Sequence, residues 1–316
     1  MPIIIPSRLP AHEILACEGV MVMSRDRAER QDIRPLEIGL LNLMPDKPTT
    51  ETQFARLVGA TPLQIRLTLI RMTRHKSRHT TEAHLEEFYR SFKEIQASGQ
   101  KFDGLIITGA PIELLAYEDV NYWDEFCEIL DWLADHVHAT IGVCWAGMAM
   151  LYAWHGVPKH AMPAKASGCY RHRTVLQGIP ILRGLNDEFV MPVSRWTSLH
   201  DVDIIGCDGL EVLIAPLAED TDVLGPCLIA DPTHRALMII NHFEYDWDTL
   251  KKEYLRDRAR EATTPLPLNY FPNDDATRVP RNRWRCHGHQ FYGNWINEIY
   301  QGAPFDLEAI GQDRGI

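Results

Sequence analysis

The stretch from Ala139 to Trp154 restricts the possible folds of this chain more than any other. Ala139 to Val143 is short, apolar and partly β-branched, the composition of a buried strand. Trp145 to Trp154 is rich in Ala, Met and Leu and meets no proline until Pro158, which predicts a helix. Cys144 therefore sits where a strand passes into a helix. On so sharp a turn a side chain projects at the carboxyl edge of a sheet, beside free helix amides and a dipole that favours a thiolate. Gly142 and Gly147 leave room for the turn and for close contact of helix on strand. This is a nucleophile elbow with cysteine in place of serine. The residue also fits an ordinary core cysteine, because free cysteines are among the most buried side chains.

The chain around this stretch alternates strand and helix. Strands are expected at Glu37 to Leu43, Leu63 to Ile70, Phe102 to Thr108 and Ala139 to Val143. Helices are expected from a Thr49 or Thr50 cap to about Leu57, from near Thr81, and from about Tyr122 to Asp135. That alternation predicts βαβ units in a mostly parallel sheet flanked by helices, with its site at the carboxyl ends of the strands. Lys47, the Gly109 to Glu113 loop and Cys144 all follow strand ends and should share one rim. Later strands are expected at Val212 to Ala215, Cys227 to Ala230 and Ala236 to Ile240, then helices from Trp247 to about Arg260 and near Asn294 to Tyr300. At 316 residues this suggests an irregular arm over 1–35, one α/β domain over 36–300 and a tail over 301–316.

A net charge of −11 with no long basic run argues against nucleic acid as a partner. No apolar run approaches the roughly 18 residues of a membrane span, and the start lacks the pattern of a signal peptide. Seven scattered cysteines without a CxxC pair argue against a disulfide scaffold or zinc finger, so a reducing cytoplasm is the expected setting. No metal is expected: His287 and His289 lack companions at convincing ligand spacing.

A nucleophilic thiol needs a base, and the base needs an orienting group. His242 and Glu244 follow a strand two residues apart, which puts both side chains on one side of an extended segment. Glu244 is then placed to hold one ring nitrogen while the other faces Cys144. With 14 histidines in the chain, a surface His beside a surface Glu is the competing reading.

GVCWAG followed by HFE resembles the Cys-His-Glu triad of the class I glutamine amidotransferase-like, flavodoxin-like fold. The whole chain more closely resembles the homoserine O-acyltransferases of the homoserine O-succinyltransferase family. The matching stretches include RPLEIGLLNLMPDK at 34–47, ETQFARLV at 51–58, FDGLIITGAP at 102–111, FEYD at 243–246, NYFPNDD at 269–275 and WRCHG at 284–288. The resemblance implies ping-pong chemistry: Cys144 takes an acyl group from acyl-CoA, and an amino acid's side-chain hydroxyl takes it from Cys144. His242 is implied as the base and Glu244 as its orienting group, with Lys47 and the Trp145 amide at the oxyanion. Glu253 and Arg256, three apart on a helix, are implied to take the acceptor's ammonium and carboxylate, and Lys165 and Ser194 to lie near the acyl donor. Glu113 stands where family members with glycine have room for succinate, so acetyl-CoA is the expected co-substrate, with no bound cofactor. Succinyl transfer, L-serine as acceptor in place of L-homoserine, a glutamine amidotransferase and a non-catalytic metabolite binder remain the alternatives. The family also implies a homodimer.

Overall fold

The computed structural model describes residues 3–18, 22–23, 34–75, 80–217 and 224–312. The strands are β1 (Ile3–Ile4), β2 (Val22–Met23), β3 (Leu36–Leu41), β4 (Ile65–Arg71), β5 (Tyr89–Ser91) and β6 (Phe102–Ile107). After these come β7 (Val137–Val143), β8 (His160–Thr174), β9 (Glu188–Ser198), β10 (Glu211–Pro216), β11 (Leu228–Asp231) and β12 (Ala236–Ile239). They form one sheet in the order β2-β1-β4-β3-β6-β7-β12-β11-β10-β8-β9, with β5 also beside β4.

From β2 to β12 every neighbouring pair is parallel; from β12 to β9 every pair is antiparallel. Within the parallel part, β3, β4, β6, β7 and β12 take the spatial order second, first, third, fourth, fifth, as in flavodoxin-like sheets. Chain direction across the sheet reverses between β3 and β6, and ligands of such sheets bind beyond the carboxyl ends near that point. Lys47, Gly109, Cys144 and His242 follow β3, β6, β7 and β12. The register pairs Ile239 with Val143, so the chain enters the His242 loop beside the Cys144 turn.

Local sequence explains the elements that carry this rim. β6 is buried at every position and packs between β3 and β7. The Lys47–Val58 helix starts earlier than its threonines suggest. Asp46 is its cap, accepting the Thr49 N–H at 3.3 Å and the Thr49 hydroxyl at 2.8 Å. Pro48 fits the first turn, where no amide donor is needed. At the elbow, a Cβ on Gly142 would lie 2.3 Å from Met150 Sδ and 3.0 Å from Gly147 Cα. These two glycines let the Trp145–His155 helix lie directly on β7.

Two sequence expectations change, and one hairpin is added. Residues 1–35 are not simply an irregular arm: β1 pairs with β4, and the Pro10–Cys17 helix buries Ala11 and Leu15. β8 and β9, for which the sequence shows no clear alternation, form a long antiparallel hairpin. The helix expected near Asn294 runs from Arg285 to Gly302, past the expected domain end at 300, and the tail beyond it buries Ile310.

Gly142→Ala should lower stability by about 1–3 kcal/mol, because the buried Met150 side chain would have to move and the Gly147 backbone leaves little room. A thermal melt would show this as a drop of several degrees; an unchanged melting temperature would mean that the strand and helix separate easily.

Candidate active site

Cys144 has φ 51° and ψ −116°, a conformation that a side chain-bearing residue adopts only under constraint. Two bonds supply that constraint. Its N–H donates to the Ile239 carbonyl at 2.7 Å, and its carbonyl accepts the Met148 N–H at 3.1 Å. A Cβ on Gly109 would come within 3.1 Å of the Cys144 Cβ, so the β6 loop presents bare backbone to the thiol. Trp145 is the first residue of the helix, so its N–H has no partner four residues back and is free to serve an oxyanion.

His242 is fixed from both ends. Its N–H donates to the Pro192 carbonyl at 3.0 Å, and Nδ1 lies 2.6 Å from Glu244 Oε1. The buried Nε2 has no hydrogen-bond partner other than the Cys144 thiol beside it. Burial alone would lower the imidazole's pKa. The Glu244 carboxylate and then the Cys144 thiolate outweigh that effect and hold it well above the ordinary value. This electrostatic balance favours the protonated ring beside the thiol.

A second cluster adjoins this one. Glu253, on the Thr249–Arg260 helix, accepts from Tyr245 Oη at 2.8 Å and from Ser194 Oγ on β9. Lys165 Nζ on β8 lies 3.9 Å from Glu253 and 2.8 Å from Asp257. Arg256 Nε donates to the other oxygen of Asp257 at 2.8 Å. Burial raises the Glu113 pKa, while the charges of Lys165 and His242 pull it down, so Glu113 lies within electrostatic reach of both clusters. The structure thus brings together Cys144, Trp145, His242, Glu244, Glu113, Lys165, Ser194, Glu253 and Arg256.

The Lys47 ammonium is buried and donates to the carbonyls of Asn42 and Met44. It belongs to a buried network in which Asn42 donates to Tyr89 at 2.9 Å and Tyr89 to Glu51 at 2.6 Å. A buried ammonium needs acceptors close by, and these carbonyls supply them.

The homoserine O-succinyltransferase family model matches residues 2–305. The chain belongs to this family. A homoserine O-acetyltransferase of Cereibacter sphaeroides is 58% identical over 312 residues, covering 99% of this chain and 100% of the relative. A protein of the same name from Dinoroseobacter shibae is 59% identical over 311 residues, covering 98% and 100%. Solved structures share the fold at low identity. A glutamine amidotransferase from Methylobacillus flagellatus aligns with TM-score 0.51 and 12% identity, over 84% of this chain and 95% of that one. Another from Thermotoga maritima aligns with TM-score 0.52 and 8% identity, over 85% and 100%.

In this homoserine O-succinyltransferase family member the same clusters also contain residues that no motif in the sequence marks. Asp257 joins Lys165 to Arg256; the signal for it is its spacing of four from Glu253, which puts both on one helix face. Tyr245 stacks on the His242 ring at 4.2 Å while its hydroxyl holds Glu253, so one side chain spans both clusters. Arg195 is fully buried and donates to Asn241, Thr197 and Leu224 oxygens, none of them a carboxylate. Burial lowers its pKa, and Cys144 is foremost among the charges that oppose this. Nothing in VSRW distinguishes that arginine from a solvated one.

Burial also lowers the Lys47 pKa from an ordinary 10.5 to about 8, beyond what the opposing Glu51 charge restores. Between those pH values the unfolded chain holds a proton that the folded chain has lost, so stability rises with pH across the window. The stability difference between wild type and Lys47→Met should therefore shift in favour of wild type by about 3 kcal/mol across that window. Urea titrations of both proteins over the same range measure it; parallel curves would show an ammonium that is solvated.

Proposed function

We propose that the chain is a homoserine O-acetyltransferase that works through an acetyl thioester on Cys144. The observation that carries this reading is the meeting of a thiol–imidazole–carboxylate triad with a cluster of paired charges suited to an amino acid. Its nearly full-length relatives that carry this name support it.

In the first half-reaction the Cys144 thiolate attacks the carbonyl carbon of acetyl-CoA. The oxyanion that forms is met by the Trp145 N–H, and its collapse expels CoA thiolate, which takes the proton held by His242. In the second, His242 removes the proton of the homoserine hydroxyl as that oxygen attacks the thioester. Cys144 leaves as thiolate and the O-acetyl ester departs. Glu244 holds the ring in one orientation throughout. Glu253 receives the acceptor's ammonium and Arg256 its carboxylate, with Asp257 and Lys165 fixing the guanidinium and the pocket wall. The homodimer is carried over from the family resemblance alone, and the cytoplasm from the cysteine usage.

Glu113 supports acetyl over succinyl. A second carboxylate about 4 Å from it would be opposed by about 4 kcal/mol at a near-surface effective dielectric. Burial raises the Glu113 pKa, so discrimination should weaken as the pH falls and the side chain becomes neutral.

Release of CoA from acetyl-CoA and L-homoserine should be rapid in wild type and lost in Cys144→Ala. Glu113→Gly should improve succinyl-CoA use relative to acetyl-CoA by about tenfold or more, as ~1.4 kcal/mol already gives that factor. Turnover with L-serine instead would revise the acceptor alone. An acyl preference that Glu113→Gly leaves untouched would remove Glu113 from the pocket.

A further inference from the structure

Asp231 ends β11 and is 1% exposed, yet two imidazoles converge on a single one of its oxygens. His155 Nε2 and His234 Nδ1 each lie 2.6 Å from Asp231 Oδ2. These three atoms all fall within 4.8 Å of one another. The other carboxylate oxygen accepts the His234 backbone N–H at 3.1 Å, which fixes the plane of the group. The His234 ring lies flat against Trp154 at 4.1 Å, and the His155 ring stands nearly perpendicular to it at 87°. The turn itself is clamped: Arg235, at φ 51°, donates to the carbonyls of Ala134, Val137 and His138. The His234 ring is thus held by Trp154 from outside the trio, the Asp231 carboxylate by the backbone of its own turn, and that turn by Arg235.

We propose that His155, Asp231 and His234 form a site for a divalent transition-metal ion of the zinc class. Two neutral imidazoles and one carboxylate supply three protein ligands and leave a position for water, a donor set that suits zinc or cobalt better than calcium or magnesium. A divalent cation adds charge compensation to a carboxylate that is otherwise buried and held in one plane. Entry is open, since the two histidine side chains keep 16% and 34% of their exposure. Metal would replace the two N–H···O bonds by nitrogen lone pairs, with each ring proton moving to its outer nitrogen.

The position assigns the ion a structural role. His155 ends the helix that begins at Cys144, about 15 Å away at 1.5 Å per residue. Asp231 and His234 belong to the β11–β12 hairpin, and β12 leads to His242. A metal here clips together, at their far ends, the two segments that bring nucleophile and base to the rim. A second group, His160, His200 and Asp203, has a quarter-exposed aspartate that water already solvates, with the two rings stacked face to face at 3.7 Å. It serves as the internal control.

The test is titration of metal-free, full-length protein with Co²⁺, read by its d–d absorption, in wild type, His155→Gln, His234→Gln and His200→Gln. One equivalent should bind without a thiolate-to-cobalt band and be displaced by Zn²⁺. Affinity should fall about 100-fold or more in His155→Gln and His234→Gln and stay unchanged in His200→Gln. Zn²⁺ should also raise the melting temperature of wild type but not of His234→Gln. Absence of Co²⁺ binding, binding retained in His234→Gln, or binding lost only in His200→Gln would each overturn the proposal.

Discussion

The whole site depends on one residue of backbone, the point at which β7 becomes a helix. At φ 51° and ψ −116° Cys144 occupies a conformation that stores of order 1–3 kcal/mol of strain. It persists because its surroundings fix it from several directions. Ile239 takes its N–H, Met148 gives its N–H to the carbonyl, and Gly142 and Gly147 remove the Cβ atoms that would force strand and helix apart. The return is geometric: the thiol stands at the rim beside a free helix amide. The bond from Cys144 to Ile239 also links the nucleophile to the strand that leads to the base, so folding of the sheet and assembly of the site are one event.

Electrostatics extends that geometry outward. The Glu244 carboxylate holds a buried imidazole in its charged form beside the thiol, and Tyr245 joins the ring to Glu253 through stacking and a hydrogen bond. Glu253, Lys165, Asp257 and Arg256 then alternate in sign along one wall. In the proposed reaction a zwitterion meets its complement there, and Glu113 is the negative charge set against a second carboxylate on the acyl group. Reaction and recognition are therefore coupled through shared side chains.

The central parallel strands β3, β4, β6 and β7 are legible in the sequence because each is a short apolar run in a chain that alternates strand and helix, whereas β1 and β2 are too short to leave such a pattern. β8 is not legible either: Pro163 and the run KASG interrupt any alternation, and its pairing with β9 is decided by contacts outside the segment. The Arg285–Gly302 helix carries Gly288 and Gly293, which weaken its propensity signal. Gly288 is needed because a Cβ there would lie 2.9 Å from the Phe243 carbonyl. The three groups read as a triad follow from residue type and position after strand ends. Arg195, Asp257 and Tyr245 escape such a reading because their roles arise from partners distant in sequence. Lys47 falls on the expected loop, but the direction of its ammonium is set by Asn42 and Met44 carbonyls that no motif reveals.

Everything proposed for the reaction requires a covalent step at Cys144, and the mass of the intact protein after brief exposure to acetyl-CoA without acceptor tests it most directly. One acetyl group should appear on Cys144, with one equivalent of CoA released, and L-homoserine should remove it. An unmodified protein that releases CoA only when both substrates are present would contradict this mechanism, because transfer would then bypass the thiol.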